Sequence, residues 1–263
     1  MVSKSEVLWK ITRIGLAQFK VSHMPTFLGF VSWPVKVLPP RGLNRLVVLL
    51  ALSIFFWLGQ AFGGADFERL FAAYSQRWGN SVAARYSAWQ NMLQIARAGS
   101  DIERLKRVND FFNRQIKFAE DAAIWSQPDY WATPLETLGL GAGDCEDFSI
   151  AKYYSLKEVG VAPDKLRLIY VRAKTGSTDA VASQAHMVLA YYAQPEAEPL
   201  VLDNLISEIR PASRRPDLVP VFSFNSEGVF TGVSGKEAVP AAGTGRLSRW
   251  EDLLKRARAE GFD

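Results

Sequence analysis

The segment Gly141-Ala-Gly-Asp-Cys-Glu-Asp147 places the one cysteine of the chain, Cys145, where a glycine-rich loop feeds a helix. Free backbone N–H groups and the helix dipole at such a start favour a thiolate, which is the form a nucleophilic cysteine requires. An isolated free cysteine is more often a small buried hydrophobe, but the neighbours Asp144, Glu146 and Asp147 argue against an apolar burial site. Of the two histidines, His23 precedes a long apolar run, so any imidazole chemistry in the folded part falls to His186. His186 opens the strand-like run His186-Met-Val-Leu-Ala-Tyr-Tyr192, and Asp203 closes the next one, Pro199-Leu-Val-Leu-Asp203. In an antiparallel hairpin the start of one strand lies beside the end of its partner, which brings imidazole and carboxylate within about two residues of register. Singly, His186 fits a structural role and Asp203 a turn. Together with Cys145 they have the makings of a nucleophile, a base and the acceptor that fixes its tautomer.

Three acids beside a thiolate would raise its pKa by like-charge repulsion, and a bound cation would remove that penalty. Calcium suits such a site, being a hard ion that takes about 6 to 8 oxygen ligands. Asp144 and Asp147, three apart at a helix start, share a face, with Glu146 reaching from the loop side. Equally, Glu146 and Asp147 serve as first-turn acids that complement the helix dipole, and the residues by themselves leave both readings open. A single cysteine excludes an intramolecular disulfide and any multi-cysteine zinc site.

The elements that must hold these groups read as helices first and strands later. Phe67, Leu70, Phe71 and Tyr74 form one helical stripe closed by Gly79, and Val82, Tyr86, Trp89, Leu93 and Ala96 form a second that ends at Gly99. Ser100 with Glu103 is a capping-box signature ahead of a third stripe, Leu105, Val108, Phe112 and Ile116. Residues 118–144, punctuated by Pro128, Pro134, Gly139, Gly141 and Gly143, read as a long ordered loop of the kind that often carries function. A helix is predicted from about Cys145 to Gly160. Strands follow over Leu166–Arg172, His186–Tyr192, Leu200–Leu205, Val219–Phe224 and Gly228–Val233. Residues 234–246 read as a mobile connection, and Ser248 with Glu251 as the cap of a short C-terminal helix.

The 263 residues, 48% hydrophobic and 22% charged, fit one globular domain plus an extra segment and exclude a disordered or collagen-like chain. The net charge of +4 is misleading as a sign of nucleic-acid binding: residues 1–61 hold seven Lys/Arg and one acid, leaving 24 basic and 26 acidic groups in residues 62–263. Arg41 and Arg45 precede the 13-residue uncharged run Leu46–Leu58, with Gly59, Gln60 and Ala61 behind it. A basic stretch, an apolar run and small residues make an export signal cleaved near Ala61, with an uncleaved inner-membrane anchor as the alternative. Either way the body, residues 62–263, is expected outside the cytoplasm and not embedded in the membrane.

Four segments in order, Trp131-Ala-Thr-Pro-Leu-Glu136, Gly141-Ala-Gly-Asp-Cys-Glu-Asp-Phe148, Ala185-His-Met-Val-Leu189 and Val201-Leu-Asp-Asn-Leu205, resemble the bacterial transglutaminase-like cysteine proteinases in their LapG-type periplasmic branch. The resemblance implies an α+β fold of the papain-like, transglutaminase-like type, a helical layer followed by an antiparallel sheet. It implies Cys145 as nucleophile, His186 as general base, Asp203 as orienting acid, and Asp144 and Glu146 as calcium-holding acids with Asp147 as a third ligand. It further implies cleavage, between small residues, of the N-terminal region of a large cell-surface adhesin, which releases the adhesin and promotes biofilm dispersal. The periplasmic domain of an inner-membrane cyclic-di-GMP receptor would sequester the protease while the nucleotide is high, so no nucleotide site is expected in this chain. The rival readings are a transglutaminase-type acyltransferase with the same triad and a non-catalytic calcium-binding interaction module.

Overall fold

Each of the first three helices forms because its apolar residues recur on one side and a polar residue or glycine marks an end. The computed structural model describes residues 65–79, 83–175, 182–231, 238–239 and 248–262, all within the second of the chain's two units, Gly59–Asp263. Helix α1 (Phe67–Trp78) starts behind Asp66, whose side chain accepts the Arg69 N–H, and stops at Gly79, where φ is 68°. Helix α2 (Ala83–Arg97) buries Tyr86, Trp89, Leu93 and Ala96 from the expected stripe, Val82 lying outside the described residues. Helix α3 (Asp101–Gln115) opens with the Ser100–Glu103 capping box and buries Leu105, Val108 and Phe112. Tyr74, Tyr86 and Trp89 pack ring on ring, with centroids 4.9 and 5.5 Å apart. The buried Trp89 indole donates to Ser155 Oγ at 2.9 Å, so its N–H is not stranded.

Residues 118–144 are not one long loop. They contain most of a parallel pair of two-residue strands, β1 (Lys117–Phe118) and β2 (Ala142–Gly143), and two helices, α4 (Asp121–Ile124) and α5 (Pro134–Leu140). The cause of α5 is a second capping box: Glu136 N–H donates to Thr133 Oγ1, Thr133 N–H donates to Glu136 Oε2 at 2.8 Å, and Pro134 occupies the first turn.

Helix α6 (Cys145–Glu158) is the central element, with every residue from Asp147 to Leu156 buried. It packs on α3 on one side and on β3 (Leu166–Thr175) and β4 (Ala182–Tyr191) on the other. The sheet continues with β5 (Leu200–Leu202), β6 (Arg210–Pro211), β7 (Leu218–Phe224), β8 (Val229–Thr231) and β9 (Ala238–Val239). Its order is β6-β5-β4-β3-β7-β8-β9, and every pairing is antiparallel. Alternation along the strands sends Leu168, Met187, Leu189, Tyr191 and Leu202 into the main core. Ile169, Val171, Val188, Ala190 and Val201 form a second, smaller cluster. Helix α7 (Ser248–Glu260) closes the chain against the aromatic core through Trp250 and Leu253, with Ser248 inside the helix as its first residue.

The α+β arrangement, helices followed by an antiparallel sheet, is the expected one. Among the strand boundaries that differ from expectation, two bear on the site. Strand β4 begins at Ala182, so His186 sits inside the strand opposite Val171, and β5 stops at Leu202, leaving Asp203 just past its end. The apolar run Leu46–Leu58, its basic flank and His23 lie outside the described residues, as do residues 234–246 apart from Ala238 and Val239. Among the described residues no helix is long and apolar enough to cross a membrane.

Candidate active site

Cys145 is the first residue of α6, at the mouth of a cleft of about 610 Å³. The cleft is walled by Trp131 and by Glu146 of α6 on one side and by Tyr170, His186, Met187 and Phe222 on the sheet side. His186, 4% exposed, meets Asp203, 1% exposed, through a 2.8 Å contact between Nε2 and Asp203 Oδ1. The antiparallel pairing of β4 with β5 makes this possible: Leu189 lies opposite Leu202, which sets Asp203 level with Val188, two residues from His186. With Nε2 engaged by the carboxylate, Nδ1 is the nitrogen left for a reaction partner.

Asp203 is held from several sides. Its Oδ1 also accepts the Leu205 N–H at 3.1 Å, and its Oδ2 accepts Arg215 Nη2 at 2.7 Å. Asn113 Nδ2 from α3 and Lys152 Nζ from α6 donate to its main-chain carbonyl at 2.8 and 3.1 Å. Burial by itself would raise the Asp203 pKa, but the hydrogen bond and charge of His186, the Leu205 N–H and the Arg215 guanidinium outweigh it and bring it down to about 2. Lys152 is buried within α6, and that burial lowers its pKa to about 7 against the pull of Asp203.

The other end of the site is built differently. The Cys145 thiol shares a 2.9 Å hydrogen bond with Glu146 Oε2 and is faced by the Met187 backbone N–H. Among the described residues no hydrogen bond joins it to His186; the two meet only as walls of one cleft. Burial pushes the Cys145 thiol up, and the charge and hydrogen bond of Glu146 and the charge of Asp144 push it further, with only Met187 opposing. The thiolate expected from the helix start is therefore not favoured while the acids carry no cation.

Asp144 caps α6 and is buried, and its pKa is raised by burial first and then by Glu146, Asp147 and Asp121. Ligand atoms of Asp144, Cys145 and Glu146 lie within 4.8 Å of one another, a closeness that two ionised carboxylates tolerate only with a proton or a cation between them. Asp147 is fully buried, where its Oδ1 accepts Ala132 N–H at 2.8 Å and its Oδ2 accepts Asp144 N–H at 3.4 Å. A Cβ on Gly143 would fall 2.7 Å from the Asp147 Cβ, so this approach needs glycine. The sequence reading had no place for Asp121, at the start of α4. Its carboxylate accepts the Tyr130 N–H, and burial, then Glu146, Asp129 and Glu120, raise its pKa to about 6.

Ligand oxygens of Asp121, Asp144 and Asp147 lie within 4.8 Å of one another, as do those of Asp121, Asp129 and Glu146. Asp121 Oδ1 and Asp144 Oδ1 are buried without a hydrogen-bond partner. Bare carboxylate oxygens out of water are costly unless a cation takes them, and an all-oxygen donor set suits a hard one. The acids present therefore fit a metal ion. Asp129, in the acidic cluster, was also absent from the sequence reading, as were Arg215, Lys152 and Asn113 around Asp203.

Comparison with known proteins identifies the family and the fold. The family model described as bacterial transglutaminase-like cysteine proteinase BTLCP matches residues 72–216. Among solved structures, Legionella pneumophila LapG is 39% identical, with 73% of this chain and 97% of that chain covered and a TM-score of 0.60. Its EGTA-treated form is 38% identical with a TM-score of 0.62 over 73% and 97% of the two chains. Its calcium-bound form is 38% identical with a TM-score of 0.60 over 72% and 97%. A comparison with curated proteins returned no match.

Proposed function

The chain belongs to the bacterial transglutaminase-like cysteine proteinase family, and from that premise we propose that it is a calcium-dependent thiol endopeptidase using Cys145, His186 and Asp203. The observation that carries the reading is that the Cys145 thiol and the hydrogen-bonded His186–Asp203 pair line one cleft. Cys145 Sγ attacks the peptide carbonyl carbon as its proton passes to His186. The imidazolium, steadied by Asp203, gives that proton to the leaving amine, and water then hydrolyses the thioester. The Cys145 backbone N–H, at the helix start, meets the developing oxyanion. Among the described residues the thiol and imidazole share no hydrogen bond, and such catalytic contacts often tighten only around a bound substrate.

Asp144 and Glu146, with Asp121 and Asp129 beside them and Asp147 beneath, are the residues that would hold calcium. When bound, the ion supplies positive charge against the acids that now hold the thiol proton in place. That calcium-bound and EGTA-treated forms of Legionella pneumophila LapG have been solved favours this ion. By the family resemblance, the substrate is the N-terminal region of a large cell-surface adhesin, whose release promotes biofilm dispersal. The compartment is the periplasm, reached through the basic and apolar segment of residues 1–61. The regulator is the periplasmic domain of an inner-membrane cyclic-di-GMP receptor.

The test is to incubate the protein with the purified N-terminal region of a large adhesin from the same genome and read products by gel and mass spectrometry. Discrete cleavage by the wild type and none by Cys145→Ala is expected, the variant staying folded because it loses only a small side chain at a helix start. A Cys145→Ala protein that still cleaves would remove the thiol mechanism.

A further inference from the structure

The orientation of a catalytic-type Asp–His pair depends on what holds the carboxylate oxygen that does not face the histidine. In this protein that oxygen, Asp203 Oδ2, lies 2.7 Å from Arg215 Nη2, and both side chains are no more than 2% exposed. Arg215 is itself gripped from outside. Its Nε donates to Asp217 at 3.0 and 3.2 Å and its Nη2 at 2.8 Å, while the Asp217 side chain is 37% exposed. A chain of contacts therefore runs from the surface to the imidazole: Asp217, Arg215, Asp203, His186. The backbone holds Arg215 in place, since its N–H closes the turn onto Ala212 O at 2.9 Å and its carbonyl accepts the Leu218 N–H at the start of β7.

We propose that Arg215 is a positioning residue for the proposed reaction: it keeps Asp203 ionised and turned toward His186, so that Nε2 carries the proton and Nδ1 faces the cleft. This inference rests on the triad reading above. The groups around Asp203 divide the work. Asn113 from α3 and Lys152 from α6 touch only its main-chain carbonyl, and so fix where the residue sits. Among the described residues, Arg215 is the one side chain on Oδ2. Without it, a buried carboxylate oxygen would have neither water nor a donor, and protonation would be the cheapest remedy. A neutral Asp203 would no longer require the Nε2–H tautomer of its partner or favour the imidazolium. Asp217 plays no direct part at the histidine; it holds the guanidinium in the plane that Oδ2 needs.

The experiment uses the full chain with 15N-labelled histidine, the His23 signal being assigned by His23→Gln. Tautomer-sensitive 15N shifts and the exchange rate of the His186 Nε2 proton are read for wild type, Arg215→Gln and Arg215→Lys. Melting temperatures and, with the adhesin fragment, kcat and KM are measured alongside. Arg215→Gln is expected to lose the single Nε2–H tautomer and to lower kcat about 10- to 100-fold with KM within about twofold. That loss is smaller than the roughly 10⁴-fold seen when an orienting aspartate is itself neutralised. Arg215→Lys, which keeps the charge but lacks the rigid planar fork that grips Asp217 through Nε while Nη2 meets Asp203, is expected to keep the tautomer while its Nε2 proton exchanges at least about 5-fold faster than wild type. A folded Arg215→Gln protein with a wild-type tautomer and kcat, differing only in melting temperature, would overturn the proposal. Should Arg215→Gln fail to fold, an Arg215→Lys exchange rate equal to wild type would overturn it instead. Wild type that does not cleave while the tautomer responds to Arg215 would count against the protease reading and leave the positioning role standing.

Discussion

The two halves of the site meet the same problem, carboxylates out of water, in opposite ways. Around Asp203 each carboxylate oxygen has a donor and a buried guanidinium balances the charge, bringing the pKa to about 2. Around Cys145 the acids face one another, three buried oxygens (Asp121, Asp129 and Asp144 Oδ1) have no partner, and burial with mutual repulsion raises the pKa of Asp121, Asp144 and Asp147. One half is finished by the chain's own residues; the other presents oxygens that a cation would complete. On the proposed reading, a cation that completes the second half would act on the thiol and leave the first half untouched, so calcium would control the nucleophile and not the His186–Asp203 pair.

The largest expected effect breaks the finished half. Asp203→Asn should lower kcat by about 10⁴-fold with KM little changed, since the amide cannot accept from both His186 and Arg215. Stability should respond as well. Because the folded pKa of Asp203 is depressed to about 2 from 3.8, its contribution is present above about pH 4 and is lost as pH falls from there toward 2. Acid unfolding of wild type and Asp203→Asn by circular dichroism checks the sign: the wild-type advantage in this window should shrink as pH falls.

The next effect sharpens the unfinished half. Calcium at about 100 times its dissociation constant should stabilise the protein by about 2.7 kcal/mol, and the combined Asp121→Asn and Asp144→Asn variant should lose most of that gain. Thermal melts with calcium and after chelation measure both. Gly143→Ala should cost about 1–3 kcal/mol, because the new methyl meets the Asp147 Cβ and carboxylate on a helix that cannot yield. The smallest effect concerns Lys152. Its folded pKa is lowered to about 7 from 10.5, so the buried amine penalises folding more as pH falls from about 10.5 to 7. Lys152→Met should therefore gain more stability, relative to wild type, at pH 6 than at pH 9, and paired melts at the two values would reveal a contrary sign.

What was legible in the sequence follows from how local each signal is. Ser100 and Glu103, or Cys145 behind its glycine loop, mark helix starts within four residues, and the structure keeps both. Thr133 and Glu136 carry the same signature. They were obscured by the proline and glycines around them, although Pro134 belongs in a first turn. Strand β4 starts earlier than read because Ala182–Ala185 carries no apolar alternation and is paired only through β3. The Cys145, His186 and Asp203 set could be read from residue types and from a hairpin register. Arg215 could not: a charged residue in Ser213-Arg214-Arg215-Pro216 looks like its exposed neighbour until the fold buries it against Asp203. Lys152 was hidden in the same way, a single amine in a helix that only tertiary packing buries on every side.

The contrast between the two halves is tested most directly by the rate at which iodoacetamide alkylates Cys145, the only thiol, at pH 7 with saturating calcium and after chelation. Calcium should raise the rate at least about tenfold, the factor that follows from lowering a largely protonated thiol by about one pKa unit. Equal rates in the two conditions, from protein shown to bind calcium, would contradict the claim that the acidic half waits on a cation.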